Sequence, residues 1–301
     1  MKIAVIIATI GRKALLTKVL KQLEKQTRLP DEVIISTPDA THVEPYQSRH
    51  FNITYVYART GLAAQQNAAL DYAVRRFDVV TFLDDDLLIV DDYLERLAAA
   101  FEAHPDWAVI TGNLVDDGAR RGGYTFEHGL HVLEAAVARR DTETIPAEHE
   151  AANGSNMSMR TRHIGDLRFD ERLVLHGWLE DIDFTYQLRR YGLIISLNTL
   201  VSVHLGVRSG RASGTRFGYA QIANPIYLLR KGTIPLRFAC VQMARNVAAN
   251  LVKSMRPEPH IDRWGRLRGN LLAAFHVLTG RIHPEYAAEI DPPRVTEAVT
   301  T

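Results

Sequence analysis

Residues 2–8, 32–36, 53–57 and 78–83 are short runs dense in Val and Ile, and segments of helical periodicity separate them. Runs that are apolar on both faces cannot border water, so each must be covered twice, and strands alternating with helices predict a mostly parallel sheet flanked by helices. The segment 12–26 places Leu15, Leu16, Val19, Leu20 and Leu23 on one helical face, and Gly61 opens a second helix running to residue 76. A further helix over 92–104 and a strand over 107–115 continue the alternation.

Beyond residue 115 the pattern changes. Residues 116–129 are rich in glycine and charge, and the connection up to 152 yields no periodicity that assigns an element. A short strand is expected at 156–160, a helix at 180–191, two short strands at 193–197 and 200–204, and a Gly/Ser/Arg-rich loop at 205–216. The last third reads as helices over 219–230, 236–255 and 264–279. Residues 1–216 therefore form the expected catalytic domain, with halves at 1–115 and 116–216, and residues 217–301 a helical extension.

The net charge of +1 hides an asymmetry: residues 1–204 sum to −7, residues 205–283 to +11 and residues 284–301 to −3. Cys240 is the only cysteine, which excludes an internal disulfide framework and a thiolate-rich zinc site and suits a reducing compartment. The opening residues run straight into an apolar strand, so no secretory signal is expected. The longest apolar stretch, 236–255, is broken by Arg237, Gln242, Arg245, Asn246, Asn250 and Lys253, which excludes a spanning helix.

Asp84, Asp85 and Asp86 directly follow the apolar run Val79-Val80-Thr81-Phe82-Leu83. Three carboxylates thus stand at the carboxyl end of a buried strand, the edge where open α/β sheets bind ligands. Alternation puts Asp84 and Asp86 on one face, where two like charges call for a cation between them. A hard divalent ion that also bridges substrate phosphates meets that need. The competing reading is a solvated loop capping the helix that starts near Asp92.

With the triplet in place, the chain resembles the family 2 glycosyltransferases. Ala8-Thr9-Ile10-Gly11-Arg12 is similar to the family's entry to the nucleotide pocket, and Gly61-Leu62-Ala63-Ala64-Gln65-Gln66-Asn67 to its glycine-led helix opening. Gly154-Ser155-Asn156-Met157-Ser158-Met159-Arg160 resembles the acceptor-side strand, Phe169-Asp170-Glu171 the Phe-Asp-Glu element, and Gly177-Trp178-Leu179-Glu180-Asp181 the motif carrying the catalytic base. His204 falls where many members place a strand-end histidine. These elements keep family order over residues 3–204. The departures are Thr37, with Asp39 nearby, where a nucleobase-binding Asp is usual, and Gln66 in place of an Arg.

The resemblance implies an α/β GT-A fold, Rossmann-like, with a mostly parallel sheet flanked by helices and a helical C-terminal extension. It implies single displacement with inversion and a divalent metal, Mn²⁺ or Mg²⁺, on Asp86 and His204. Thr9, Arg12, Asp39, Asn67, Asp84 and Asp85 would contact the donor, and Asn156, Trp178 and Arg160 the acceptor. Asp181 would be the general base with Glu180 beside it. Read without the family, Glu180, Asp181 and Asp183 equally suit a helix N-terminus, His204 a packed strand end, and Arg208, Arg211 and Arg216 a solvated basic loop rather than a clamp on the leaving diphosphate.

The expected partners are a nucleotide-sugar donor and a saccharide or lipid-linked saccharide acceptor. The basic helical third would face an anionic membrane surface or pack on the catalytic domain or a second subunit of a homodimer; a cytoplasmic enzyme, at most peripheral to the membrane, is the corresponding location. No nucleic-acid signature accompanies the basic residues. The rivals are a sugar-phosphate nucleotidyltransferase, which would want a longer glycine-rich loop and a triphosphate-cradling lysine, and a silent nucleotide-sugar binding protein, which would need no base.

Overall fold

The computed structural model describes residues 1–140, 143–207 and 213–290. Strands β1 (Ile3–Ala8), β2 (Glu32–Thr37), β3 (Asn52–Tyr57) and β4 (Val79–Leu83) lie parallel in the order β3-β2-β1-β4. The run of Val and Ile is explained by burial on both sides. Ile3, Val5 and Ile7 pack with Leu16, Leu20 and Leu23 of α1 (Lys13–Leu23) and with Leu94 and Leu97 of α3 (Tyr93–Ala103). Ala4 and Ile6 face the other way, onto Ala69 and Leu70 of α2 (Leu62–Ala73) and Phe184 of α6 (Glu180–Leu188). The helix-flanked, mostly parallel sheet is as the alternation predicts.

The sheet continues past β4 with a change of direction. β8 (Asn156–Arg160), which leads into the single turn α5 (Thr161–Ile164), runs antiparallel to β4, with Leu83 opposite Asn156, and antiparallel to β6 (Trp107–Asp117) on its other side. β9 (Leu193–His204) lies parallel to β6, and β5 (Leu87–Ile89) pairs antiparallel with the end of β9, bringing Leu87 opposite His204. The two strands expected at 193–197 and 200–204 are one strand. It stays continuous because β6 follows it through shifts of register, one of them between Gly112 and Asn113.

The stretch 116–152, which carries no legible period, contains regular elements among its described residues. β6 extends to Asp117, α4 (Phe126–Val137) begins at Thr125, whose hydroxyl accepts from the His128 N–H at 3.1 Å, and β7 (Pro146–His149) pairs antiparallel with β9. A helix of this length with Gly129 at its centre and His128 and His131 on its surface gives a blurred apolar stripe. Only Gly129 and Leu133 of α4 are buried.

Residues Met1–Glu171 with Leu179–Arg211 form one compact unit, and Arg172–Trp178 with Ala212–Thr301 a second. The second unit thus takes in a short segment that a division at residue 216 leaves in the first part. Within it, α7 (Gly214–Lys231), α8 (Leu236–Ser254), α9 (Arg263–Leu278) and the single turn α10 (Tyr286–Glu289) form the helical extension. α7 and α9 approach closely through glycine: a Cβ on Gly218 would lie 2.0 Å from the Arg266 carbonyl oxygen, and one on Gly269 2.1 Å from that of Thr215. No described helix is long and apolar enough to cross a membrane.

Candidate active site

The acidic triplet closes β4 in a tight turn. The Asp84 N–H donates to the Ser155 carbonyl at 3.1 Å, and the Leu87 N–H donates back to the Asp84 carbonyl at 3.1 Å, which sends the chain into β5 along β9. That pairing brings the end of β9 onto the triplet. Asp86, only 2% exposed, accepts from the Val207 N–H at 2.8 Å through one oxygen and lies 3.0 Å from His204 Nε2 through the other. His204 Nε2 is also 3.7 Å from an Asp84 oxygen, and its Nδ1 lies 2.9 Å from Asp117 on β6.

Asp84, Asp86 and His204 each offer a ligand atom, and these atoms all lie within 4.8 Å of one another. Two carboxylates and an imidazole are a donor set able to hold a divalent metal ion. Burial, then the charges of Asp86 and Asp85 against the opposing pull of His204, push Asp84 up to about 6. Burial lowers the His204 imidazolium, but hydrogen bonds to Asp117 and Asp86 and the charge of Asp84 outweigh it and raise it to about 10. A divalent cation at the same atoms replaces that proton, so these residues fit a metal that binds more tightly as pH rises.

Asp85 turns to the end of β1. Its carboxylate accepts from the Thr9 hydroxyl and from Arg12 Nη1, both at 2.6 Å, and Arg12 Nη2 donates to the Val207 carbonyl at 3.1 Å. Arg12 is also 3.3 Å from Asp86. Burial works against the charged guanidinium, yet Asp85 and Asp86 raise its pKa above the ordinary value. Thr9, Arg12 and Asp85 are therefore brought together with the metal cluster, and Asp85 serves to hold Arg12 where the sequence reading aimed it at the donor sugar.

Glu180 and Asp181 open α6 on the other side of the same junction. Asp181 Oδ2 accepts from the Gly154 N–H at 2.7 Å and Oδ1 from the Ile182 N–H at 2.8 Å. Gly154 precedes Ser155, whose carbonyl holds Asp84, so two successive peptide groups tie the triplet to Asp181. Burial raises the Asp181 pKa against the lowering by these N–H groups. Burial, then the charges of Asp181 and Asp84, push Glu180 well above the usual carboxylate range. Leu179, just before them, has φ of 74°, a left-handed conformation that costs a branched side chain about 1–2 kcal/mol.

A raised folded-state pKa makes the Glu180 contribution to stability largest at low pH. The unfolded chain ionises first as pH rises through the ordinary glutamate range, and that contribution is lost up to the raised folded value. In chelator-treated protein, Glu180→Gln is therefore expected to gain stability relative to wild type as pH rises across this window, measured by urea unfolding. A difference that stays flat with pH would mean that Glu180 is ionised in the folded protein.

Several residues expected to touch substrate are used by the fold instead. Asn156 is fully buried, its oxygen accepting from Thr111 at 2.8 Å and its amide donating to Ser202 at 2.8 Å, which corrects the expected acceptor contact. Arg160 donates to the carbonyls of Phe101, His104 and Trp107, tying off the C-terminal end of α3, so it too is structural. Asn67 binds the Phe169 backbone through both ends of its amide, at 2.8 and 3.0 Å, and Glu171 at 2.8 Å. It fixes the Phe169–Glu171 segment rather than reaching a donor.

Asp39 is exposed and accepts from the Thr41 hydroxyl and, at 2.7 Å, from the Thr41 N–H, which together lower its pKa. Trp178 belongs to the second unit, its ring edge-on to Phe217 at 5.0 Å and its carbonyl accepting from Asn224 at 2.8 Å. Arg216 lies in the first turn of α7 rather than in a loop, and its guanidinium donates to the Ile290 carbonyl. Arg208 and Arg211 lie outside the described residues. Sequence reasoning missed Asp117, which orients His204, and Gly154, which positions Asp181. Asp117 ends an apolar strand as Asp84 does, and that signal was available.

The family model described as Glycosyl transferase family 2 matches residues 4–160, more than half of the chain. The chain belongs to this family. It is an enzyme, a glycosyltransferase, with an Asp/Asp/His cluster able to hold a metal ion. No curated protein matches the transferase in sequence. Among solved structures it is similar to S. aureus TarS 1-349 in complex with UDP-GlcNAc, at 17% identity and TM-score 0.58 over 96% of this chain and 88% of that one. It is also similar to the mannosyltransferase PcManGT from Pyrobaculum calidifontis in complex with GDP-Man and Mn2+, at 16% identity and TM-score 0.50 over 96% and 86%. These likenesses show that the transferase has the GT-A fold.

Proposed function

We propose that this glycosyltransferase moves a sugar from a nucleoside diphosphate sugar to an acceptor hydroxyl by a single displacement with inversion, in polysaccharide or glycolipid assembly. The observation that carries the reading is the junction of β4, β8 and α6. There the Asp84 and Asp181 segments are bonded to adjacent residues, Ser155 and Gly154. The relatives described with UDP-GlcNAc and with GDP-Man and Mn2+ support a nucleoside diphosphate donor and a divalent metal.

Asp84, Asp86 and His204 would hold the metal, whose chemistry is to neutralise the leaving diphosphate. Arg12, fixed by Asp85, adds positive charge on the same side. Asp181 accepts the proton of the acceptor hydroxyl as its oxygen bonds to the anomeric carbon, while the bond from that carbon to the diphosphate breaks. Burial raises the basicity of Asp181 toward the working pH, as a general base requires. Glu180, whose carboxyl burial and then the charges of Asp181 and Asp84 push well above the usual range, hydrogen-bonds the acceptor or raises the basicity of Asp181. One base with no second carboxylate serving as nucleophile leaves a single displacement, and the product anomer is inverted.

A panel of nucleotide sugars with Mn²⁺, Mg²⁺ or chelator tests this. Nucleoside diphosphate release that needs a divalent ion, with an inverted anomeric signal by NMR, is expected. Pyrophosphate release would assign a nucleotidyltransferase, and binding without release a silent binding protein.

A further inference from the structure

In the second unit two helices bury polar groups while exposing large apolar ones. The buried side of α9 carries Arg263, Asn270 and His276, and that of α8 carries Asn250 and Ser254. Asn250 donates to Gln221 and to Asn270, both at 2.8 Å, Asn270 donates to the Gly218 carbonyl at 2.7 Å, and Arg263 donates to Asn250 at 3.1 Å. The polar groups thus satisfy one another in the interior, beside a small apolar cluster that takes in Ala273, Met243, Val247 and Leu272, and most of the remaining large apolar side chains of both helices are exposed.

The exposed stripes follow helical spacing. On α9, Trp264, Arg268, Leu271, Phe275 and Leu278 recur every three or four residues, with Trp264 63%, Leu271 65% and Leu278 87% exposed. On α8 and its C-cap, Val241, Arg245, Ala248, Val252 and Met255 repeat the same spacing, again with arginine in second place. More than half of the large exposed apolar side chains among the described residues lie between Leu236 and Leu278. Soluble surfaces rarely gather apolar area in this way without a partner.

Charge identifies the partner. Over 236–278 the only carboxylates are Glu258, held by Lys253 and Arg263, and Asp262, which accepts from the Gly265 N–H at 2.7 Å. Arg245 and Arg268 are exposed within the apolar stripes, and among the described residues no acidic side chain pairs with either. A second copy of this chain docking the same face about a two-fold axis would bring like charges together. An anionic bilayer meets both requirements, since its headgroups pair the arginines and its acyl boundary takes up Trp264, Phe275 and Leu278.

We propose that α8 and α9 form an interfacial surface that binds anionic lipid bilayers, lying on the membrane without crossing it. The proposal does not depend on the donor site, and sugar transfer and membrane binding can fail separately. In the test, the full chain is sedimented with phosphatidylcholine vesicles containing about a quarter phosphatidylglycerol, and with pure phosphatidylcholine, at low and at about 0.5 M salt. Binding to the anionic vesicles at low salt, weakened by salt, with a blue shift of Trp264 emission, is expected.

Trp264→Ser with Phe275→Ser is expected to weaken binding at least about tenfold, and Arg245→Glu with Arg268→Glu at least about fivefold per arginine. Both variants change only exposed side chains and should keep wild-type circular dichroism and donor turnover. Wild-type protein that stays in the supernatant at low salt overturns the proposal. So does a solution dimer in which Trp264 is shielded from quencher and which the serine variant dissociates, because the face then belongs to a second copy.

Discussion

Asp181→Asn is expected to lower the transfer rate by about 10²–10⁴-fold, the range that general-base catalysis contributes, while donor affinity and folding change little. Asparagine keeps the shape of the side chain and one oxygen to accept from Gly154 or Ile182, both of which donate to Asp181. What it loses is the capacity to take a proton. Steady-state kinetics should show kcat falling with KM for the donor nearly constant, and pre-steady-state binding of the nucleotide sugar should be intact. Transfer at the wild-type rate in this variant would remove Asp181 from the mechanism and shift attention to Glu180.

The second large effect falls on the other wall of the site. Asp86 meets His204, Arg12 and the Val207 N–H at once. Groups that merely orient a metal ligand contribute about 10–100-fold to metal affinity, so Asp86→Ala should lose at least the upper end of that range, together with metal-dependent donor binding. Asp117→Asn, which removes the carboxylate that orients His204, is expected to lose about 10–100-fold. Titration calorimetry with Mn²⁺ and with the donor measures both. If Asp86→Ala binds Mn²⁺ as wild type does, the cation sits elsewhere.

Much of this site can be read along the chain, and the failures have a common cause. Asp84, Asp86 and His204 were legible because an apolar strand ending in a ligand-type residue is a local pattern, and the fold brings strand ends to one edge. Thr9 and Arg12 were legible on the same ground, since they follow β1. Asn156, Arg160 and Asn67 resemble substrate contacts in type and position, but what occupies their hydrogen bonds comes from segments far away in sequence. Arg160 is spent on carbonyls at the end of α3, and Asn156 on Thr111 and Ser202. No periodicity reports such pairings.

The stretch over 116–152 was unreadable for a related reason. The apolar residues of α4 are diluted by His128, Gly129 and His131, and β7 is an exposed edge strand held by its ladder with β9 rather than by an apolar face. The helical extension was legible as helices, yet their orientation was not. Amphipathic helices ordinarily turn their apolar side inward, and α8 and α9 do so only in part, because Asn250, Asn270 and Arg263 find one another inside and leave a second apolar stripe exposed.

The reversal of direction at β8 has a further result. Since Leu83 at the finish of β4 stands opposite Asn156 at the start of β8, the edge beside the triplet is met by chain arriving at a strand, whereas β1 and β4 meet it with chain departing. The metal-type cluster after β4 and the Asp181 carboxylate of α6 therefore sit on separate segments that meet at the start of β8. Because Gly154 and Ser155 on that approach bond Asp181 and Asp84, a change in its length would shift both carboxylates together, which couples the two sides of the cleft through one short segment.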